Sequence, residues 1–390
     1  MTISSILIDF TLILLILYGF LLLIYRMLWQ KLRPVDIHKA AIVTSQTQQI
    51  RFSVIIPARN EQDNIGNCLL SILKGHYPKE LYEIIVVDDF SEDNTLAVLQ
   101  ELQQQYPGQI KVIELATLMD KRPINSYKKK ALELAIGQSS GDWIVTTDAD
   151  CIAPVDWLSY YDLYIRQTDK RFVAAPVRFK DTGSFVSKFQ CLDFLSLQGV
   201  TGAAVGGGVM SMCNGANLGY EKAFFYEVGG FLGINQLASG DDMLLMAKMQ
   251  ARQPGSIGYL FAPEAIVTTL PMADWAAFIN QRIRWASKAG TYKDWKIKAV
   301  LLLVYLLNLS LLVLFFWGIF QPPLLLTWVI LLLIKFIVEF YFMWQVAGFF
   351  NERRLLGWFL VMQPLHLVYT VVAGWLGLFG KYQWKGRTVK

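Results

Sequence analysis

The 390-residue sequence predicts an α/β domain with a mostly parallel sheet, flanked by transmembrane helices, and three observations carry that prediction. Apolar runs of strand length alternate with helically spaced segments between residues 51 and 150. That alternation builds a parallel sheet covered by helices. The chain is 54% hydrophobic and 17% charged, and its apolar excess gathers at the two ends. It is too apolar for an ordinary soluble domain and too charged for a pure membrane bundle. Finally, three strand candidates end in polar clusters, Ala58–Glu61, Asp88–Asp89 and Asp148–Asp150. Ligands of such sheets bind at the carboxyl ends of the strands.

The first element is ILIDFTLILLILYGFLLLIY (6–25), long enough to cross a bilayer. It starts after MTISS and is followed by Arg26, Lys31 and Arg33. A cleaved signal peptide needs the basic residues first and a small-residue cleavage site, so the run reads as an uncleaved anchor. The basic flank places the N-terminus outside and the next domain in the cytoplasm. The expected organisation is an anchor at 1–28, a linker at 29–50, one domain at 51–296, a membrane region at 297–380 and a basic tail at 381–390. About 250 residues are ample for one core.

Within that domain RFSVIIPARNE (51–61) gives a strand and a polar turn, and 61–74 has helical spacing through Ile65, Leu69, Ile72 and Leu73. YEIIVVDDFSEDNTLAVLQEL (82–102) repeats the pattern, with a strand at 83–87 and caps offered by Ser91, Asp93 and Asn94. KVIEL (111–115) is a third strand, SYKKKALELAI (126–136) a helix, and WIVTTDAD (143–150) a strand ending in two carboxylates.

Along an extended strand, residues i and i+2 face the same way, so Asp148 and Asp150 point to a common place. Two carboxylates that close repel unless a cation sits between them. Mg²⁺ or Mn²⁺ fits, since either takes carboxylate and phosphate oxygens together. The bland alternative is a solvated turn, because turns favour aspartate.

The ordered set SVIIPARNE, EIIVVDDFSEDNT, KKKAL, TTDAD, CNGANLGY with VGGF, SGDDMLL and QRIRW resembles glycosyltransferase family 2 over roughly residues 50–290. The resemblance implies an inverting, nucleotide-sugar-dependent enzyme of the GT-A fold. It implies that Pro57, Ala58, Arg59 and Glu61 line the nucleotide pocket and that Asp89, with Asp88 beside it, accepts a hydrogen bond from uracil. Lys128 approaches the donor, with Tyr127 where the family's pattern has glycine, and Asp148 and Asp150 hold the metal on the diphosphate. Asp242 matches the catalytic base, and Asp241 stands where the family often has glutamate. A carboxylate there can take the proton of an attacking hydroxyl. Both acids also suit a helix N-terminus. Gln281, Arg284 and Trp285 match the Q-x-x-R-W pattern of membrane-bound members. Arginine meets phosphate there and tryptophan stacks on a sugar or lipid head, although both also favour membrane interfaces. In the small-residue stretch 201–218, Asn214–Asn217, with Gly215 among them, reads as an acceptor-side wall and 206–208 as a hinge, the alternative for the stretch being a tight packing turn.

Three further apolar segments follow, at about 297–319, 323–346 and 355–380. Lys335 and Glu339 share a helix face at i, i+4. The tail carries Lys381, Lys385, Arg387 and Lys390, which favours the inside and conflicts with four full crossings. Either the last segment, with Pro364, Gln363 and His366, crosses incompletely, or an earlier one lies in the interface. The net charge of +5 suits an acidic lipid surface and not nucleic acid. Four scattered cysteines read as buried, reduced thiols.

The sequence therefore points to a multi-pass inner- or plasma-membrane enzyme with a cytoplasmic catalytic domain. It would transfer a sugar from a UDP-sugar to a lipid hydroxyl, like the ceramide- and hopanoid-type transferases. The alternatives are a processive polysaccharide synthase acting on a growing glycan, and a non-catalytic membrane scaffold.

Overall fold

Parallel strands covered on both faces require continuous apolar runs. The computed structural model places VII and IIVV of the first two strands wholly out of water: Val54, Ile55, Ile56, Ile84, Ile85, Val86 and Val87. It describes residues 2–35, 49–118, 126–209, 212–236, 240–292, 294–379, 382–384 and 387–389.

In chain order the first elements are α1 (Ile3–Lys31), β1 (Phe52–Ala58), α2 (Ile65–Leu73), β2 (Tyr82–Asp88), α3 (Thr95–Gln105) and β3 (Ile110–Glu114). Next come α4 (Tyr127–Gly137), β4 (Trp143–Thr146), α5 (Trp157–Gln167), β5 (Phe172–Ala174), β6 (Val177–Phe179), α6 (Phe185–Gly206), β7 (Leu218–Glu221) and α7 (Lys222–Glu227). The chain continues through α8 (Asp241–Arg252), β8 (Ile257–Tyr259), β9 (Val267–Thr269) and α9 (Trp275–Ala286). Three long helices follow, α10 (Trp295–Phe320), α11 (Pro322–Phe349) and α12 (Phe359–Phe379).

The chain divides into two compact units, and they cut across the 51–296 span expected for one domain. Residues 180–203 and 271–296 group with the apolar helices, and the rest of the span groups with the sheet.

In the sheet unit the strand order is β3-β2-β1-β4-β7-β5-β8. β3, β2, β1 and β4 run parallel, β7 is antiparallel to both its neighbours, and β8 is parallel to β5. α2 buries Ile65, Cys68, Leu69, Ile72 and Leu73, and α4 buries Ala131, Leu132, Ala135 and Ile136. Each large aliphatic side chain so buried stabilises by about 1.5–3 kcal/mol. The expected elements form, with one consequential difference. β4 ends at Thr146 and does not run on through Asp150. The next residues turn, with the Cys151 N–H donating to the Asp148 carbonyl at 3.2 Å. Asp148 and Asp150 therefore sit on a turn, and the alternation of a strand does not orient them.

In the other unit, four helices among the described residues are long and apolar enough to cross a membrane. Leu14, Leu15, Leu307, Leu311, Leu314, Leu331, Leu332 and Leu367 pack together, while Ile13, Ile16, Phe20, Phe316 and Ile337 stay exposed. Lys335 and Glu339 do pair, at 2.7 Å, with Lys335 fully buried. Gln363 joins them: its Oε1 accepts from Lys335 at 2.8 Å and its Nε2 donates to Glu339 at 2.6 Å. The Tyr18 hydroxyl donates to Glu339 at 2.7 Å. Gln363 thus belongs to an internal polar cluster, and α12 continues through Pro364.

Removing one member of a buried ion pair leaves an uncompensated charge, typically worth about 3–5 kcal/mol. Lys335→Met should lower the thermal midpoint in detergent sharply, and Lys335→Met with Glu339→Gln should recover part of the loss. Equal midpoints for the single and double variants would show that the pair is not coupled.

Candidate active site

The turns after β1 and β2 are stitched together by side chains. Arg59 Nη1 donates to the carbonyls of Asp89 at 2.8 Å and Phe90 at 2.6 Å, and Nη2 reaches Glu92 at 3.1 Å. The Glu92 N–H donates to Asn60 Oδ1 at 2.8 Å, and the Glu61 N–H to Thr95 Oγ1 at 2.7 Å. Asn60 and Phe90 both have positive φ, 51° and 54°. Such a backbone is strained for a bulky residue and persists only where its surroundings hold it. Arg59, expected in the wall of the nucleotide pocket, is the buried group that holds this turn. Pro57 and Ala58 close β1 beneath it. Of the three proposed caps, Asp93 is the one that binds, accepting from the Thr95 N–H at 2.9 Å. Asp88 and Asp89 are both buried, and Oδ1 of Asp88 has no hydrogen-bond partner.

A second group of residues meets beyond β4. Lys128, on the first turn of α4, lies 2.8 Å from Asp148 Oδ1 and 3.6 Å from Asp241 Oδ2. Burial alone would push its amine down, but the charges of Asp148, Asp241 and Asp242 outweigh it and hold the amine above the usual lysine range. Asp241 and Asp242 open α8, after Gly240 at a φ of 78°. That left-handed conformation comes without strain only to glycine. Gly215 lies against the same group: a Cβ there would stand 3.5 Å from Lys128 Nζ and 3.6 Å from Asp241 Oδ2. Its N–H donates to Asp242 Oδ2 at 3.1 Å, while Asp242 Oδ1 accepts from the Met243 N–H at 2.7 Å. The acids therefore open the helix and also stand beside Lys128.

Asp148 and Asp150 each act on the neighbouring thiols. Burial, and then their charges, push the thiols of Cys68 and Cys151 far up, so both stay protonated and unreactive. All four cysteines are free, three buried and Cys213 half-buried. The carboxylates of this region outnumber its cations, and a divalent ion would redress that balance. No cluster of three potential metal ligands occurs among the described residues. The protein would supply Asp148 and Asp150, and phosphate or water the remaining oxygens, which suits Mg²⁺ or Mn²⁺.

Asn217, read from sequence as acceptor wall, is wholly buried and fully used. It accepts from Trp157 at 2.9 Å and Tyr161 at 3.0 Å, and donates to the carbonyls of Pro176 and Ala265, each at 2.8 Å. Asn214 bonds within its own loop, its Oδ1 accepting from the Ala216 N–H at 3.0 Å.

Gln281, Arg284 and Trp285 lie on α9, in the unit of the apolar helices. The residue between them, Arg282, carries the local structure. It pairs with Asp193 at 2.6 Å, donates to Gln281 at 2.6 Å, and lies over the rings of Trp285 and Phe278. Tyr369 also donates to Asp193. Arg282 escaped the sequence reading because its partner is 89 residues away. Thr146 carried one local signal, a hydroxyl in an otherwise apolar run of strand length.

The model of glycosyl transferase family 2 matches residues 53–229, and that of glycosyl transferase family group 2 matches 143–376, more than half of the chain. The chain belongs to this family. The beta-monoglucosyldiacylglycerol synthase of Synechocystis is 28% identical over 242 residues, 60% of this chain and 46% of that protein. The poly-beta-1,6-N-acetyl-D-glucosamine synthase of Staphylococcus epidermidis is 23% identical over 255 residues, 64% of this chain and 57% of that protein. The chain thus spans about half the length of the curated relatives it matches. Among solved structures it is similar to the mannosyltransferase PcManGT of Pyrobaculum calidifontis in complex with GDP-Man and Mn²⁺. The TM-score is 0.59, with 19% identity over 96% of this chain and 98% of the other. The fold is that of the GT-A glycosyltransferases.

Burial raises the Asp88 carboxyl above the ordinary range, aided by Glu114 and Asp93 and opposed by hydrogen bonds from Ser91. The folded chain then binds this proton more tightly than the unfolded one. Its stabilisation is full below about pH 4 and is lost as the pH rises through the raised value. The thermal midpoint of the wild type relative to Asp88→Asn should therefore increase as the pH falls from about 6 to about 4. A constant difference would show an ordinarily titrating Asp88.

Proposed function

We propose that this protein is an inverting glycosyltransferase that moves a sugar from a UDP-sugar to a hydroxyl of a membrane lipid at the cytoplasmic face. The observation that carries the reading is the Asp242 carboxylate. It is held from two sides by the N–H groups of Gly215 and Met243 and lies beside the Lys128–Asp148 pair. A carboxylate so held can accept the acceptor's hydroxyl proton as the oxygen attacks the anomeric carbon from the face opposite the diphosphate. Asp241 and Asp148 keep the Lys128 ammonium charged, so Lys128 can face the donor's phosphates. Asp88 and Asp89, on the turn held by Arg59, would meet the polar edge of uracil, with Pro57, Ala58 and Glu61 beside it. Asp148 and Asp150 would hold Mg²⁺ or Mn²⁺, which when bound stabilises the leaving diphosphate. Asn214 and Gly215 would border the acceptor.

The four apolar helices and the likeness to a diacylglycerol glycolipid synthase support a lipid acceptor and a multi-pass place in the inner or plasma membrane. The likeness to a poly-N-acetylglucosamine synthase supports a second reading, a processive synthase extending a glycan.

The purified protein, with Mn²⁺, labelled UDP-sugars and a total lipid extract, should yield a single labelled product soluble in organic solvent. A labelled polymer soluble in water would instead establish the synthase. Asp242→Asn should lower turnover by about 10²–10⁴-fold and leave UDP binding intact; undiminished turnover would remove Asp242 from the role of base. Asp150→Ala should weaken UDP binding in Mn²⁺ but not in its absence. Equal affinities for wild type and variant with the metal present would refute the metal assignment.

A further inference from the structure

We infer that Thr146 is a positioning residue for the Asp242 carboxylate, acting through the backbone of Gly215. The inference rests on the reading of Asp242 as base. Thr146 is the last residue of β4, and the sheet pairs it on both sides, with Ile55 of β1 and Leu218 of β7. Its side chain is buried, and its hydroxyl donates to the Gly215 carbonyl at 2.9 Å. The same glycine's N–H donates to Asp242 Oδ2 at 3.1 Å. The route is short and uninterrupted: strand, hydroxyl, glycine backbone, carboxylate.

The loop that carries Gly215 is fastened at its far end by Asn217, whose amide binds the carbonyls of Pro176 and Ala265. Asn214 closes the loop on itself, its carbonyl accepting from the Asn217 N–H at 3.1 Å. Gly215 has no side chain with which to hold itself, and a Cβ there would stand in ordinary contact range of Lys128, Asp241 and Asp242. The Thr146 hydroxyl supplies the side-chain contact on its carbonyl. Without it, the Gly215 N–H can turn away from Asp242, and among the described residues the carboxylate keeps only the hydrogen bond from the Met243 N–H. The carboxylate can then swing out of line with an acceptor hydroxyl, while the residues proposed to bind the nucleotide stay where they are. Thr146 would therefore act on the rate of transfer and not on donor affinity.

Thr146→Val keeps the branched shape and removes the hydroxyl, and Thr146→Ser keeps the hydroxyl. With the donor that the wild type turns over, Thr146→Val should lower kcat by about 10–100-fold, the scale of a small misplacement at a reacting centre. KM for the donor should stay within about twofold of wild type, and Thr146→Ser should return kcat to within about threefold. Wild-type kcat in Thr146→Val, an equal loss in Thr146→Ser, or a loss expressed only in KM would each overturn the inference. If Thr146→Val does not fold, Thr146→Ser against Thr146→Ala makes the same comparison. Asp242→Asn run alongside separates the two claims. An active Asp242→Asn refutes the base and this inference with it. An inactive Asp242→Asn beside a fully active Thr146→Val refutes the inference alone.

Discussion

Like charges brought together at the ends of strands repel, and the sheet unit is arranged around that repulsion. Two carboxylates about 4 Å apart oppose each other by about 4 kcal/mol at the effective dielectric of a protein surface, a large share of the 5–15 kcal/mol that keeps a domain of about this kind folded. Asp148, Asp241 and Asp242 are tolerated because one ammonium, Lys128, stands among them, and because backbone N–H groups take up both oxygens of Asp242. α4 delivers the lysine, the turn after β4 delivers Asp148, and the start of α8 delivers the acid pair. Each element matters to the site through the charge it carries there.

The apolar-helix unit follows the same rule in a drier setting. Lys335 and Glu339 are satisfied by each other and by Gln363 and Tyr18, so that the cluster ties α1, α11 and α12 together. Arg282 and Asp193 do the same for α9 and α6, with Tyr369 of α12 as a third member. A buried ion pair penalises any arrangement of helices that leaves one of its charges without a partner, a penalty that leucine packing alone does not impose.

Much of the candidate site was legible because its acids are carried by local strings. Asp148 and Asp150 in TTDAD, Asp241 and Asp242 in SGDD, and Asp88 and Asp89 after IIVV stand next to the strand or helix that presents them, and the structure places each at such an end. What the strings did not show is how the side chains are spent. Arg59 reads as pocket lining and serves to hold a strained turn. Asn217 reads as a wall and is an internal pin. Gln363 reads as a softening of a membrane segment and is part of a buried network. Arg282 hides between the letters of a motif that names its neighbours.

By itself the sequence determined the alternation of strands and helices, the long apolar segments and the positions of the acids, because hydrophobic period and turn chemistry act over a few neighbouring residues. The tertiary structure decided which groups meet: Lys128 with Asp148 and Asp241, Thr146 with Gly215, Gly215 with Asp242, Arg282 with Asp193. Those pairs are separated by 20 to 89 residues in all but the longest case, that of Lys128 and Asp241. Hydrogen bonds and ion pairs form between atoms about 3 Å apart, and only the packed fold sets distances of that kind across such stretches of chain.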